Sequence, residues 1–510
     1  MWLINKDNLH KIKNLDFNLP LILGVFLSLA NPPFSFPYII VVVLVVIGNY
    51  WLKKNYSPKK SFFFGFLFGF GYFSFSLVWI IEPFLVEPNI TVILAPFALI
   101  FLSGVLSFFW GSAFFFSSYK NDFKNKNISL FKLAICLSLA EILRSHLFTG
   151  FPWVLLGLAF IDTPISQVLS IFGPYWLTSI IIILCLIIPS GKTGILLSIT
   201  GFSLLNIYGL YRDNNEVDDE INKQLRIIQP NILQKNKWKK GLEEVNFSKL
   251  IELSNKNSKN VDILIWPETS VPFFLEYKKN FQNIILNNIS KPIILGARRY
   301  DKRSNKLFNS AYYLNANGEV EQIYDKKHLV PFGEFVPFNN FLKIFVETGI
   351  ENNGITGFSV GTKTNEIVID NSIKISLFIC YESIFSNEID ANTVNSDFIV
   401  HLTNDAWFGS YNGPQQHIVQ IRARAIEQGL PVLRSANTGI SALIDPYGRI
   451  LKKITLNTEG YLDVKIPKKI DETLYSKFGS KNWNLLLICL FALFYFLCFK
   501  KSKYKKSIGY

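Results

Sequence analysis

The feature that most constrains this chain is the succession of long apolar stretches, broken by short polar loops, that fills residues 1–211. Residues 212–480 read as an ordinary globular sequence, and 483–499 ("WNLLLICLFALFYFLCF") are apolar again. A bilayer core takes about 20 apolar residues per helix, fewer or more with tilt. On that measure eight candidate spans run near 18–34, 38–52, 61–86, 90–118, 128–148, 164–189, 192–211 and 483–499, the second and last being short. A 49% hydrophobic content with 47 phenylalanines is too much for an ordinary soluble chain.

Loop charge orients the spans. The N-terminus (Lys6, Lys11, Lys13), the second loop (Lys53, Lys54, Lys59, Lys60), the fourth (Lys120, Lys124, Lys126), the sixth (Lys192) and the C-terminal tail (Lys500, Lys501, Lys503, Lys505, Lys506) are basic. The odd-numbered loops, such as "EPFLVEPN", lack that bias. This alternation is the positive-inside pattern, with both termini cytoplasmic and residues 212–480 outside the cytoplasm. Those 16 lysines, less Asp7, Asp16 and Asp122, account for +13 of the net +14. The basic balance is therefore a topology signal, and a nucleic-acid-binding reading loses its main support. The "SLA" before Asn31 resembles a signal-peptide cleavage site, but cleavage there would leave the other spans in the same orientation.

Four of the five cysteines, Cys136, Cys185, Cys489 and Cys498, fall within the candidate spans, where a cysteine is most often a small apolar side chain. Cys380 is the only one in the outer segment, so it has no partner there for a disulfide.

That segment carries strand candidates at 262–266, 292–297, 310–315, 374–379, 397–403 and 431–436, with hairpin turns in "NANGEV" and "IDPYGRI". "QHIVQIRARAIEQG" has helical spacing, with Gly429 and Pro431 as stops. Strands mixed with helices over about 270 residues suggest one α/β domain. Chemically interesting residues recur at strand ends, where α/β sheets bind ligands. Glu268 follows "ILIWP", Lys326 follows "EVEQIYD", Cys380 follows "ISLFI" and Asn404-Asp405 follows "FIVHLT".

A thiol nucleophile needs a base or a cation beside it. Glu268, next to Trp266 and Pro267, suits a general base. Lys326 suits stabilisation of a thiolate and then of an oxyanion, with the Tyr381 backbone N–H as second donor, and Glu382 suits orienting Lys326 or a substrate amine. Each of these residues taken alone has a bland reading: a buried Cys is usually inert filler, and an isolated Glu or a "DKKH" run is usually solvated. Of the five histidines, His10 and His146 flank spans; His328, His401 and His417 lie in the outer segment, and nothing local pairs them with Cys380. No Cys/His spacing suggests zinc or another metal site.

Together, "WPET" (266–269), "YDKKHLVPFGEFVP" (324–337), "CYES" (380–383) and "TNDAWFG" (403–409) resemble, in order and spacing, the nitrilase (carbon–nitrogen hydrolase) superfamily. With the spans around that domain, the chain resembles the family of bacterial apolipoprotein N-acyltransferases over essentially its whole length. The resemblance implies a polytopic α-helical membrane bundle of about eight spans with an inserted extracytoplasmic nitrilase-like α/β domain, an αββα sandwich. The parts would be a seven-helix membrane domain (1–211), the catalytic domain (212–480), and a last membrane helix with a basic cytoplasmic tail (481–510). It implies a Glu-Lys-Cys triad at Glu268, Lys326 and Cys380. Glu334, Glu382, Tyr381 and Trp238 match further family positions with supporting or substrate-binding roles. The implied reaction needs no cofactor. A phospholipid gives an acyl chain to Cys380 as a thioester, and the N-terminal α-amino group of a diacylglyceryl-modified apolipoprotein takes it as an amide, the last step of lipoprotein maturation. The expected setting is the bacterial inner membrane, with a monomer whose catalytic domain faces the periplasm. Phe273, Phe274, Phe335, Phe338, Phe341, Phe345 and Phe358 are candidates for lining the lipid entrance.

Two rival readings use the same residues differently. A membrane-tethered amidase or nitrilase would resolve the thioester with water. A non-catalytic transport protein would use the bundle as a pore, for which Glu141 and Arg144 are the main ionisable residues within a span. Eight spans favour a lipid substrate, since a single anchor would suffice for a soluble one.

Overall fold

Each apolar segment of the sequence contains a helix in the computed structural model, which describes residues 18–86, 91–121, 123–215, 220–275, 281–335, 357–370, 372–393 and 395–507. The helices are Asn18–Ser28, Ile39–Lys54, Pro58–Ser76, Ala95–Ser118, Lys126–His146, Leu169–Leu186, Lys192–Asp213 and Ser480–Ser507. Among the described residues, three stretches are long and apolar enough to cross a bilayer: Val92–Ser118, Pro164–Ser190 and Lys192–Asp213. Pro58–Ser76 with Val78–Leu85, bent by 47°, makes a fourth if the pair is one span. The sequence pattern suggests eight, and the difference has physical causes. Ile39–Lys54 has 16 residues, about 24 Å of helix. Lys126–His146 carries Lys132, Glu141 and Arg144, all buried.

The chain divides into two compact units, Met1–Asn215 with Tyr411–Val419 and Phe478–Tyr510, and Glu216–Ser410 with Gln420–Lys477. In the first unit only 22% and 17% of the most apolar stretches of Val92–Ser118 and Lys192–Asp213 are buried. Phe97, Phe101, Leu196 and Ile207 therefore point outward, an arrangement that water penalises and lipid does not. Small residues bring the helices together. A Cβ on Gly24 would meet the Phe68 carbonyl oxygen, and one on Gly71 that of Leu21, so the first and third helices cross backbone to backbone. Glu141 and Arg144 pair at 2.7 Å in the interior, and Arg144 also donates to the Phe151 and Trp153 carbonyls. This ion pair ties a helix to the following loop, which is a structural use. Tyr411–Val419 belongs here through Gln416, which donates to the Ser76 carbonyl at 3.0 Å and accepts from Trp153 at 2.8 Å.

The second unit contains twelve strands among its described residues: β1 (Glu220–Gln229), β2 (Ile263–Ile265), β3 (Ile293–Asp301), β4 (Lys306–Leu314), β5 (Val320–Asp325), β6 (Glu366–Ile369), β7 (Ile373–Ile379), β8 (Phe398–Thr403), β9 (Val432–Ala436), β10 (Ser441–Ile444), β11 (Ile450–Ile454) and β12 (Gly460–Pro467). They form two six-stranded sheets, β12-β1-β2-β3-β4-β5 and β11-β10-β9-β8-β7-β6. In each, the middle strands run parallel and the outer ones antiparallel. Helices Glu243–Asn255 and Phe281–Asn288 cover the first sheet. Their Leu250, Leu253 and Ile285 pack with Leu264, Trp266, Ile293 and Leu295 in one apolar cluster. The sheets meet where the Ser435 hydroxyl on β9 donates to the Ile228 carbonyl on β1. Parallel strands flanked by helices leave their carboxyl ends as the open edge on which functional groups collect.

Candidate active site

Cys380 stands at the end of β7, at the start of the short turn Cys380–Ile384, with φ of +52°. A residue with a Cβ pays about 1–3 kcal/mol for that left-handed backbone, so the surroundings must hold it. They do so from both sides. Glu382 Oε2 accepts the Ile379 amide at 2.7 Å, and the Ser383 hydroxyl donates to the Cys380 carbonyl at 3.0 Å. His401 Nε2 donates to the same carbonyl at 3.0 Å. Arg434 donates to His401 Nδ1 at 2.8 Å, which assigns the neutral Nε2–H tautomer. Arg434 in turn meets Asp405 at 2.5 Å, and Asp405 accepts from the Thr403 hydroxyl at 2.9 Å. His401 thus supports the bend through main chain, and is not a base paired with the thiol.

Lys326 follows β5, with its amide on the Asn309 carbonyl and its side chain 1% exposed. Its ammonium lies 3.0 and 2.9 Å from the two Glu334 oxygens and 3.7 Å from Glu268 Oε1. Asn309, opposite on β4, donates to Glu268 Oε1 at 2.7 Å and to Glu334 Oε1 at 2.9 Å, holding the two carboxylates apart around one cation. Glu334 reaches this point because Phe332 adopts φ of +61° in the "PFGE" turn and Glu334 Oε2 accepts the Val330 amide at 2.7 Å.

The electrostatics follow from this packing. Burial works against the Lys326 charge, but Glu334 and then Glu268 more than offset it, so its pKa is raised and it stays an ammonium. Burial, and next Glu268, push the Cys380 thiol up, while Lys326 and a hydrogen bond from Thr403 pull the other way. Cys380 therefore rests as a neutral thiol.

Glu382 does not reach the Lys326 ammonium, as the sequence reading allowed. Its Oε1 accepts from the Lys327 amide at 2.7 Å, the His328 amide at 3.3 Å and the Tyr324 hydroxyl at 2.7 Å. With Oε2 on Ile379, one carboxylate thus fastens the backbones that carry Lys326 and Cys380. Burial raises its pKa, opposed by those same hydrogen bonds. Tyr381 is buried against Phe385 and His328, and His328 pairs with Glu388 at 2.7 Å. Trp238 is 38% exposed and lies under the Arg298 guanidinium at 4.0 Å. Asn404 accepts from Asn437 and donates to Gln234, bracing loops around the site.

Of the candidate entrance residues, Phe273 packs against the core of the first sheet, and Phe274 lies beside Arg298 and Tyr300. Phe335 and Phe358 are half-buried, while Phe338, Phe341 and Phe345 lie outside the described residues. Sequence reasoning passed over Asn309 and Lys237. The Lys237 ammonium is buried and donates to the Glu268 carbonyl at 3.1 Å and the Thr269 hydroxyl at 2.7 Å. Burial lowers its pKa to about 8, although Glu268 favours its charge. The hint for Asn309 was a polar side chain inside an otherwise apolar run; for Lys237 there was none, since "QKNKW" reads as a solvated turn.

The domain of two six-stranded sheets is a carbon–nitrogen hydrolase domain, since residues 224–475 match the carbon-nitrogen hydrolase family. Residues 23–187 match the apolipoprotein N-acyltransferase N-terminal domain. Apolipoprotein N-acyltransferase of Rhodopseudomonas palustris is 33% identical over 90% of this chain and 91% of its own. That of Rickettsia bellii is 34% identical over 88% and 91%, and that of Brucella melitensis 31% over 92% and 93%. The chain belongs to the apolipoprotein N-acyltransferase family.

Proposed function

We propose that this protein transfers a fatty acyl group from a phospholipid, through a thioester on Cys380, to the N-terminal α-amino group of diacylglyceryl-cysteine on apolipoproteins. The observation that carries the reading is the Lys326 ammonium, held between the Glu268 and Glu334 carboxylates beside the bend that presents Cys380. Glu268 takes the Sγ proton, and the thiolate attacks the ester carbonyl of the donor. Lys326 Nζ and the Tyr381 amide receive the oxyanion. Collapse expels the glycerol oxygen, which regains the proton from Glu268 and leaves as lysophospholipid. The acceptor amine then attacks the thioester, Glu268 takes its proton, and the thiolate departs as the amide forms. Glu334 keeps Lys326 charged throughout, and Glu382 holds the two backbones in register. We place the helices of the first unit in the bacterial inner membrane as about eight spans, with the catalytic domain on the periplasmic side and the protein acting as a monomer.

The test is the intermediate. Enzyme given phospholipid without acceptor should accumulate one acyl group on Cys380, cleaved by neutral hydroxylamine and discharged by a diacylglyceryl-cysteinyl peptide with a free α-amine. A blocked amine should leave it intact, and Cys380→Ser should form none. Rapid discharge by water alone would support the hydrolase instead, and acylation elsewhere would remove Cys380 from the mechanism.

A further inference from the structure

Arginines buried or half-buried in this unit meet counter-charges: Arg226 meets Asp463, Arg299 meets Asp325, Arg424 meets Glu427 and Arg434 meets Asp405. Arg298 departs from that rule. Its guanidinium lies between two rings, 4.0 Å from Trp238 and 4.9 Å from Phe274. Among the described residues its Nε has no hydrogen-bond partner, and no carboxylate pairs with it. The next residue, Arg299, points to the other face of β3 and makes a two-pronged bond to Asp325 at 2.8 and 2.7 Å. Placing a half-buried cation without an anion is unfavourable, and the two rings offset only part of that.

Its position points to a use for this cation. Arg298 is directly opposite Asn309 in the β3–β4 register, and Lys326 is hydrogen-bonded to Asn309 on the far side. The three form one row across the sheet, on the face that carries the Glu268–Asn309–Glu334 cluster. Two residues back on the same face of β3, Gly296 is bare because a Cβ would strike Glu268 Cα. Arg298 therefore stands about two strand spacings, ~10 Å, from Lys326. Lys237 adds a fully buried cation close to the half-buried Arg298, and burial lowers the pKa of both.

We propose that Arg298, stacked between Trp238 and Phe274, binds the phosphate of the acyl donor and so sets the ester carbonyl against Cys380. This rests on the phospholipid-to-cysteine reading above. A guanidinium offers a planar pair of donors to phosphate oxygens, and here the terminal nitrogens are the ones open to them, the Nε being buried. The acceptor, a diacylglyceryl peptide, carries no phosphate, so the site belongs to the first half-reaction only.

The experiment compares acylation of Cys380 by dipalmitoyl phosphatidylglycerol and by p-nitrophenyl palmitate, in detergent, for the full chain and for Arg298→Gln and Arg298→Lys. In Arg298→Gln the ratio of the two rates should shift against the phospholipid by roughly 10- to 100-fold, the worth of a charge-assisted hydrogen-bonded contact. Arg298→Lys should recover part of that ratio, because the charge survives without the fork. Discharge of preformed acyl-enzyme by the acceptor peptide should keep its wild-type rate in both. An unchanged ratio, or equal losses with both donors, overturns the assignment. Millimolar inorganic phosphate should not protect the wild-type enzyme from acylation by phospholipid; strong protection would mark a site for free phosphate and overturn the lipid assignment. If neither donor acylates wild-type Cys380, the thioester reading itself fails, a result distinct from every outcome above.

Discussion

Replacing Lys237 with methionine should make the protein more stable and a poorer catalyst. The side chain is buried, and its pKa falls from 10.5 to about 8 because the interior disfavours the charge. At neutral pH the lysine is charged in both folded and unfolded chains, so this shift of about 2.5 units is a penalty on folding of roughly 3 kcal/mol. Methionine removes the penalty and keeps most of the volume. It also removes two hydrogen bonds, to the Glu268 carbonyl and the Thr269 hydroxyl, worth about 1 kcal/mol each. The balance is a gain on the order of 1 kcal/mol.

The sign of the pH dependence follows from the depressed pKa. As pH rises from about 8 to 10.5 the folded lysine loses its proton before the unfolded one, so the wild type recovers stability across that window. The methionine variant has nothing to recover. Thermal unfolding in detergent, at neutral pH and near pH 10, should show the variant ahead at neutral pH and the wild type ahead at the higher pH, where its recovery of roughly 3 kcal/mol exceeds the gap of about 1 kcal/mol. Acylation by phospholipid should drop, because Thr269, at φ of +44°, and the Glu268 backbone lose the donor that holds them. A variant clearly less stable than wild type at neutral pH, or one with full activity, would refute this account of Lys237.

Glu268→Gln and Lys326→Ala should each abolish transfer in protein that still reaches the membrane. Loss of one preorganised oxyanion donor costs about 10²–10³ in rate, so near-wild-type turnover in either would exclude its role. Glu334→Gln removes the largest influence that raises the Lys326 pKa, leaving mainly Glu268 to oppose burial. Its rate–pH profile should gain an alkaline decline absent from wild type, and a profile merely scaled down would show that Glu334 acts otherwise. For topology, alkaline-phosphatase fusions near Lys240 should be active and those after Lys503 inactive; the reverse pattern would sink the orientation.

Strands were legible where they lie inside a sheet and read as unbroken apolar runs. The stretches at 262–266, 374–379, 397–403 and 431–436 became β2, β7, β8 and β9 within a residue or so at each end. Of the edge strands, β5 was read through "EVEQIYD", whereas β6, β11 and β12 were not seen. β11 ("ILKKI") exposes its lysines and β12 ("GYLDVKIP") is only partly covered, so neither carries a clear apolar signature. β1 was hidden for another reason: Arg226 sits fully buried within it because Asp463, more than two hundred residues later, supplies the counter-charge. Such a partner has no local trace. The same limit divides the site. Glu268, Lys326 and Cys380 stand out because each closes a strand, whereas Asn309, Thr403 and the His401–Arg434–Asp405 chain matter only through neighbours brought in by the sheet.

The proposed mechanism has one set of groups serve two acyl transfers. In it the thiol proton passes to Glu268, and the negative charge moves from a carboxylate that opposes the thiolate onto the sulfur itself. The cluster keeps its total charge, and Lys326, whose ionisation is secured by Glu334, faces an anion before and after the step. The same exchange runs in reverse when the leaving oxygen needs a proton, and again when the incoming amine gives one up. Nothing in that cycle distinguishes water from an amine. Selection must therefore come from what is admitted to the thioester, which is why a lipid-binding surround, and not a change in the acid–base groups, separates acyl transfer from hydrolysis on this fold.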